Sequence, residues 1–585
     1  MHRLLRNIDA LFIAVYLLLF YSVILFLSSL GFLINNNFIV DESFISSLFI
    51  SVFAGFYLFK FHTKDSFSIK NYVLNTGAFV FLLLLFILIS VFVWDNSYDG
   101  QTYHLQGIHE LANGWNPIKQ VLPDSVPNAI YINNYAKAFE IFGASVYKFT
   151  NNIESAKVSN LILFTVGWLL AMAYFKTLLN NARRSYIFAT LVLLNPVIST
   201  QLFSFMPDGQ MASGIIILIF SFLLFLKSGK FSLLIWCLCL MDLMAFKFTG
   251  LVYAAIFTFF GSVFLLLNYR SNIKLFLRLA VTSLFAFIVG ILIVSNNPYC
   301  TNLKSGRHIF YPLMGKNAVN IMVGFNSPQS FEKKNRIEKF FIANAAFSGN
   351  VHGAKETPEP RLKLPFYFQL KEWTVFKSVS VLYGGFGPLF SGILLLTVFL
   401  LLFLIFKNNL LYKKQFLFLI GALVFSVFIN PECWLARYVP QLWLLPICVV
   451  VFFSIQQNMA RVHRFICKAI IGLMCVNALG IFSISVLSNL IITSEMKHEY
   501  NWLKKTNAPV SLISNDFIST EYRLNKYDVP FKKLEKDVII NSDSAYTFKP
   551  ITSSSVILLP KNVEPYKAGP LFNFLESFIK NDRSK

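Results

Sequence analysis

Long apolar stretches recur along almost the whole chain, and short polar turns separate them. Because a membrane-spanning helix needs about 20 mostly apolar residues, the pattern predicts about thirteen transmembrane helices. The predicted spans are 10–33, 43–59, 71–94, 158–175, 185–206, 210–226, 231–246, 248–268, 279–297, 385–406, 415–430, 438–458 and 469–491. We therefore expect an all-α polytopic membrane protein.

Three longer polar segments interrupt this pattern, namely the loops 95–157 and 298–384 and the tail 492–585. The tail alternates short β-like runs with polar turns, which is typical of a small mixed α/β region. Its β-like runs cover residues 510–513, 538–540 and 555–559. We expect the chain to divide into a transmembrane domain, 1–491, and a small C-terminal domain, 492–585.

The composition agrees with a membrane protein and excludes a soluble enzyme, a disordered chain and a fibre. Hydrophobic residues make up 56% of the chain and charged residues 14%, whereas a soluble domain carries about a quarter charged residues. In a soluble protein the net charge of +22 would suggest a nucleic-acid partner. In a membrane protein the same excess is expected from cytoplasmic loops and contacts with lipid phosphates. We therefore expect membrane lipids, and no nucleic acid, as partners.

Lysine and arginine residues concentrate in alternate turns, which predicts the orientation of the chain. If the N-terminus is cytoplasmic, every turn that faces the cytoplasm carries at least two cations, whereas the outer turns 34–42 and 201–209 carry none. Cytoplasmic loops of membrane proteins show this excess of cations. Both long loops and the C-terminal tail are then expected on the outside.

Two carboxylates, Asp95 and Asp99, stand where the third predicted span leaves the membrane. They precede a helix-like segment, 103–113, whose first residues are Tyr103 and His104. The apolar positions of this segment fall on one side, which suits a helix lying along the membrane interface. A helix N-cap requires only one Asp, so the second carboxylate and the two ring side chains suggest a catalytic or binding function.

Other polar residues occur at the outer ends of later spans. Asp208 lies in a Pro-Asp-Gly sequence, which also suits an ordinary turn. Lys247 stands where it could contact lipid phosphate or pair with Asp242 across a kink. Arg437 and Tyr438 begin a late span, where they could bind phosphate through the forked guanidinium or simply anchor the helix in the interface.

The loop 298–384 contributes a third set of polar candidates, Arg307, His308 and Tyr311. Basic groups suit phosphate and aromatic rings suit sugar faces. The alternative is that long outer loops carry cations whatever their function. We interpret the loop as a basic cover above a lipid-phosphate site.

Together, the Asp-x-x-x-Tyr-His sequence at 99–104, the acidic Asp208 in a second outer loop and the Arg437-Tyr438 pair resemble the GT-C superfamily of membrane glycosyltransferases. The resemblance implies a polyprenyl-phosphate-linked sugar donor, an inverting reaction and action on the non-cytoplasmic side of the membrane. In many members the first large loop follows the first span, whereas here it follows the third.

The resemblance also implies the roles of the acidic residues. Asp99 is the expected catalytic carboxylate, Asp95 is its competitor and Asp208 is a further acidic residue of the same site. A divalent metal (Mg²⁺ or Mn²⁺) between Asp99 and Asp208 is left open, since some members use one and others do not. The residues expected to bind substrate are Tyr103, His104, Lys247, Arg307, His308, Tyr311, Arg437 and Tyr438.

The sequence therefore suggests a glycosyltransferase of the bacterial inner membrane, with its site and C-terminus in the periplasm. The acceptor would be a lipid-linked glycan, a lipid or a surface polymer. One alternative is a polymerase that moves a whole polysaccharide repeat unit, and another is a transporter of lipid or polysaccharide. Transporters usually place ionisable groups in the middle of the membrane, whereas most of the candidates here stand at the outer ends of spans, which favours surface chemistry.

The orientation can be tested with reporter fusions. A reporter fused after residue 150, 350 or 585 should read as periplasmic, and one fused after residue 66, 180 or 410 as cytoplasmic. The two sets should give opposite signals, because turns rich in Lys and Arg stay on the cytoplasmic side of the membrane. A cytoplasmic signal from the fusion after residue 150 would contradict the site assignment, because Asp99 would then face the wrong compartment.

Overall fold

The computed structural model describes residues 9–35, 38–63, 67–229, 231–322, 326–350, 357–407, 410–456, 459–506, 509–514, 517–534, 545–548, 555–559 and 563–580. Within these residues, eight helices are long and apolar enough to cross a membrane. They are Ala10–Ile34, Glu42–Phe61, Ile69–Phe92, Ile153–Leu179, Asp208–Leu226, Phe248–Asn268, Arg270–Val294 and Arg461–Thr506. Three shorter apolar helices, Ser232–Phe246, Phe390–Phe406 and Pro440–Ser454, complete this set.

Two further predicted spans are also helical. The segment 185–206 forms Ala182–Leu193 and Pro196–Gln201, because Asn195 and Pro196 end one helix and begin the next. The segment 415–430 forms the helix Lys413–Phe428. All thirteen predicted segments are therefore largely helical, which confirms the all-α membrane class, while the number that cross the bilayer stays a prediction.

The last predicted span is part of a single helix of 46 residues, Arg461–Thr506. It continues past residue 491, where the domain boundary was expected. Its C-terminal part carries buried residues such as Met496, Tyr500 and Leu503, which pack against the C-terminal region. One continuous helix therefore leads from the last predicted span into the contacts of the C-terminal region.

The described residues of the C-terminal region include the strands β1 (Val510–Ser514), β2 (Phe531–Lys533), β3 (Ala545–Thr547) and β4 (Ser555–Leu558) and the helices Ile518–Lys526 and Pro570–Lys580. These four strands form one sheet with the order β2-β1-β4-β3. β1 pairs parallel with β2 and antiparallel with β4. This confirms the predicted small α/β region, although the predicted run 538–540 lies outside the described residues.

The two long outer loops also contain helices. The first holds Gly100–His104, which is a π-helix, followed by Leu105–Ala112, Ala129–Asn134 and Ala138–Thr150. The second holds Asn296–Lys304, Arg336–Ala345 and Leu370–Thr374. The apolar side chains Leu105, Ile108 and Leu111 are buried in the main hydrophobic core. This part of the first loop therefore packs its apolar face against the rest of the protein, while its position along the membrane interface stays a prediction.

Candidate active site

Asp99 lies at the end of the turn that follows the helix Ile69–Phe92, immediately before the π-helix Gly100–His104. Its side chain is 39% exposed, and its Oδ2 is 3.9 Å from Nη1 of Arg437. At this distance the two side chains form an ion pair but no hydrogen bond. Asp99 is thus an accessible carboxylate beside a cation.

Arg437 occupies the short 3-10 helix Ala436–Tyr438, just before the helix Pro440–Ser454. Its side chain is 11% exposed, and Nη1 donates a hydrogen bond to Oγ of Ser380 at 2.8 Å. Burial disfavours the charged guanidinium, but the neighbouring Tyr438, Asp208 and Asp99 raise the pKa of Arg437 above its ordinary value. Arg437 therefore stays cationic at any physiological pH.

Lys247 and Asp208 form a second pair of opposite charges. Lys247 lies at the break between the helices Ser232–Phe246 and Phe248–Asn268, where its backbone is extended. Its ammonium group donates to Oδ1 of Asp208 and stands 4.8 Å from the ring centroid of Tyr438. The Asp208 side chain is only 1% exposed, whereas that of Lys247 is 29% exposed. The cation of this pair is therefore the member that a substrate can reach.

These two pairs belong to one cluster, which we call the charged cluster: Asp99, Asp208, Lys247 and Arg437. Tyr438 lies against both cations, since Arg437 is 5.1 Å and Lys247 is 4.8 Å from its ring centroid. The segment 379–380 also joins the pairs. Gln201 donates to the carbonyl of Val379 at 3.1 Å and to Asp208 at 3.2 Å, while Ser380 accepts from Arg437.

Three tyrosine rings form a wall next to the charged cluster. The ring of Tyr103 lies 5.7 Å from that of Tyr131 and 5.9 Å from that of Tyr135. Burial, together with the negative charge of Asp99, raises the pKa of Tyr103 well above its ordinary value. Tyr103 is therefore a neutral hydroxyl and an aromatic surface, which is suitable for contact with a sugar ring.

Asp95, the competitor of Asp99, has a different environment. It is fully buried and accepts hydrogen bonds from Oγ of Ser97 at 2.9 Å and from the backbone amide of Phe205 at 3.3 Å. Burial and the negative charge of Glu154 raise its pKa to about 7. Asp95 is thus buried whereas Asp99 is accessible, so the geometry favours Asp99 over Asp95 as the carboxylate that a substrate can reach.

His104 likewise points into the protein. It is buried, and its Nδ1 is 2.6 Å from Oε1 of Glu140, which is buried as well. The pair connects two helices of the first outer loop, Gly100–His104 and Ala138–Thr150. The geometry thus favours a structural role for His104 over the expected contact with substrate.

The candidates in the second outer loop contact one another and the first loop. Arg307 is exposed, donates to Asn134 at 3.1 Å and places its guanidinium 4.8 Å from the ring centroid of Tyr311. His308 accepts a hydrogen bond from the amide of Phe310 at 3.1 Å. Because Asn134 precedes Tyr135 in the chain, this loop lies beside the tyrosine wall but outside the charged cluster.

Ser380 and Gln201 are parts of the site that the sequence did not reveal. Ser380 lies in a long loop, two residues after Ser378, and no pattern distinguishes it from its neighbours. Gln201 ends the helix Pro196–Gln201 and is fully buried. A glutamine within a stretch predicted to span the membrane is a signal that could have been used, because a buried polar side chain needs a partner.

The charged cluster does not suit a divalent metal. Both oxygens of Asp208 already accept hydrogen bonds, from Lys247 and from Gln201. Asp99 faces Arg437, so a metal between the two carboxylates would stand beside two cations. Among the described residues, no group of three or more His, Cys, Asp and Glu side chains could hold a metal ion. The positive charge of this site comes from Lys247 and Arg437.

The raised pKa of Asp95 predicts how the stability of the protein depends on pH. Its pKa is about 7 in the folded protein, against about 3.9 in an unfolded chain. The folded protein therefore binds this proton more tightly, so the contribution of Asp95 is complete below about pH 4 and is lost as the pH rises through about 7. Because Asn does not titrate, the variant Asp95→Asn should lack this pH-dependent loss of stability. Between about pH 5 and pH 8, the melting temperature of the variant in detergent should therefore fall less than that of the wild type.

Thermal unfolding of both proteins, followed by intrinsic fluorescence across this range, measures the difference. Parallel curves for the wild type and Asp95→Asn would show that Asp95 does not change its proton affinity on folding.

No family model matches the chain, and no curated protein matches it. Among solved structures, it is similar to the crystal structure of ArnT from Cupriavidus metallidurans bound to undecaprenyl phosphate. The two share 12% sequence identity and a TM-score of 0.43, over 78% of this chain and 86% of that chain. A TM-score below 0.5 supports no statement about family or function, so we infer the function from the side chains of the site.

Proposed function

We propose that the protein is a GT-C-type membrane glycosyltransferase. It would transfer a sugar from a polyprenyl-phosphate-linked donor to a lipid-linked glycan, a lipid or a surface polymer on the outer face of a bacterial inner membrane. The observation that carries the proposal is the charged cluster, in which the accessible Asp99 lies 3.9 Å from Arg437 and next to the pair of Lys247 and Asp208. Each member lies at a helix end that the Lys/Arg pattern places outside.

The reaction would proceed by direct displacement at the anomeric carbon. The acceptor hydroxyl oxygen forms a bond to this carbon while the bond from the carbon to the phosphate oxygen breaks. The hydroxyl proton passes to Asp99, and the polyprenyl phosphate leaves as an anion. Asp99 later returns the proton to water. A base and a cation at fixed positions lower the barrier, because they match charges that develop only in the transition state.

Arg437 and Lys247 would hold the phosphate. Arg437 makes one short hydrogen bond, to Ser380, and its contact with the Tyr438 hydroxyl is long at 3.5 Å. A guanidinium has five N–H donors, so most of its capacity remains for a phosphate. Lys247 is partly exposed and adds a second positive charge. The donor phosphate would therefore meet two cations that the fold already holds in place.

Asp208 would orient Lys247 and leave the proton transfer to Asp99. Its carboxylate is buried, and both of its oxygens accept hydrogen bonds from protein groups. An oxygen occupied in this way is poorly placed to accept the proton of an acceptor hydroxyl. The two acidic residues of the cluster would thus have separate tasks, which follow from their different exposure.

Asp99→Asn should abolish sugar transfer while the protein still inserts and folds. Asn keeps the shape of the side chain, but it cannot take up a proton, so the rate should fall by at least about 10²-fold. The measurement is transfer by purified protein from polyprenyl-phosphate-linked sugars in liposomes.

The matched control is Asp95→Asn, which removes a carboxylate only four residues away in a fully buried position. It should retain most of the activity. If Asp95→Asn is inactive and Asp99→Asn is active, the roles of the two residues are reversed. Normal transfer by both variants would remove the main support for the glycosyltransferase proposal.

Arg437→Ala should weaken the use of the donor more than Arg437→Lys does. Lys keeps the charge and loses only the forked geometry, so we expect KM for the donor to rise about 10-fold in the Ala variant and less in the Lys variant. Arg361→Ala, which changes an exposed arginine of the second outer loop, serves as the control. Near-normal kinetics of both Arg437 variants would assign this residue to anchoring in the membrane interface.

A further inference from the structure

The C-terminal region docks one helix, Ile518–Lys526, on the turn that carries Asp99. On this helix, Ser519 donates a hydrogen bond to Oε1 of Gln101 at 2.6 Å. Nη1 of Arg523 reaches the same oxygen at 3.3 Å. Gln101 is fully buried and lies only two residues after Asp99. The helix therefore holds the chain directly behind the reacting carboxylate.

Arg523 holds the other side of the same turn as well. Its Nη2 donates to the carbonyl of Asp95 at 3.0 Å and to Oε1 of Glu154 at 2.7 Å. The second oxygen of Glu154 accepts a hydrogen bond from the backbone amide of Asp95 at 3.0 Å. One guanidinium thus fixes the turn at Asp95 and at Gln101, with Asp99 between the two attachment points.

Neighbouring aromatic contacts support this docking. The guanidinium of Arg523 lies 4.9 Å from the ring centroid of Trp94. The hydroxyl of Tyr522 is 2.5 Å from Nδ1 of His109, on the helix Leu105–Ala112. Arg523 is 2% exposed, so its charge is out of water and is balanced by Glu154. A buried charge is costly unless its hydrogen bonds are made in a defined geometry. The contacts of Arg523 therefore require one specific position of the docked helix.

Asp99 needs this support because its own side chain is weakly held. Its carboxylate is partly exposed and makes the 3.9 Å contact with Arg437. The position of the carboxylate therefore depends on the backbone of the turn. That backbone is tightly packed at Gly100, where an added Cβ would meet Oγ of Ser97 at 2.1 Å. A displacement of about 1 Å at a reacting group can lower a rate by about 10²-fold.

We infer that the C-terminal region is an intramolecular clamp, in which Arg523 is a positioning residue that sets the place of the Asp99 carboxylate. The inference rests on the proposed function, since it assumes that Asp99 takes part in the reaction. It gives the C-terminal region a task in the transfer step, separate from the binding of the donor phosphate by Arg437 and Lys247.

The test compares kcat with KM in Arg523→Lys. A lysine keeps the charge for Glu154, but a single ammonium group cannot reach Glu154, the Asp95 carbonyl and Gln101 together. We expect kcat to fall about 10-fold with KM for the donor within about 2-fold, because the donor site is untouched. Ser519→Ala should change kcat in the same direction by about 3-fold, since it removes one hydrogen bond to Gln101. Asn525→Ala, an exposed residue of the same helix, should behave as the wild type.

The outcome that overturns the clamp is an unchanged kcat in Arg523→Lys, or a loss of kcat that comes with an equal rise in KM and a lower melting temperature. If Arg523→Lys fails to insert, Ser519→Ala decides, and an unchanged kcat in that variant overturns the clamp.

Hydrogen exchange tests the docking without any assay of transfer. Ser519 and Arg523 bind the side chain of Gln101, and Arg523 binds the carbonyl of Asp95, so the backbone amides of residues 95–101 should exchange faster in Arg523→Lys than in the wild type. A wild type that transfers no sugar, with faster exchange in the variant, would refute the proposed function and the role of Arg523 in it. An active wild type with equal exchange in the two proteins would refute the clamp alone.

Discussion

The carboxylate of Glu154 joins three parts of the chain that are far apart in sequence. It accepts hydrogen bonds from Lys157 at 2.6 Å, from Arg523 at 2.7 Å and from the amide of Asp95 at 3.0 Å. Because Glu154, Lys157 and Arg523 are all buried, none of their charges can be left without a partner at low cost. The start of the helix Ile153–Leu179, the first outer loop and the C-terminal region must therefore meet at this point.

Asp95 and Asp99 stand only four residues apart in the sequence, but one carboxylate is buried and the other is accessible. The turn between them directs Asp95 into the protein, where it meets Ser97 and the amide of Phe205, and leaves Asp99 at the surface of the site. The physical difference is access to solvent and substrate. A carboxylate can serve as a base only where an acceptor hydroxyl can reach it.

The helical class and the rough position of the site could be predicted from the sequence, because both depend on local patterns. Apolar length indicates helices that cross a membrane, and charges at the ends of such helices are costly enough to stand out. Together with the resemblance to the GT-C superfamily, this reasoning gave a list of candidates that includes Asp99, Asp208, Lys247 and Arg437, and the fold brings these four together. Their catalytic roles stay proposals.

Other parts of the site could not be predicted, because they depend on contacts between distant residues. The choice between Asp95 and Asp99 requires the course of the turn. Ser380 meets Arg437 from a separate loop, and Arg523 meets Gln101 across more than 400 residues. No local pattern marks either residue. The same holds for the contact of His104 with Glu140, which lies on another helix.

The continuous helix Arg461–Thr506 restricts how the chain can vary in length. Each residue of an α-helix adds about 1.5 Å and turns the following chain by about 100°. A single insertion after residue 491 would therefore rotate the docked helix and its Arg523 away from the turn at Asp95. An insertion of seven residues would nearly restore the angle, but it would raise the C-terminal region by about 10 Å. The length of the helix between residue 491 and Thr506 is therefore restricted by helical phase and rise together.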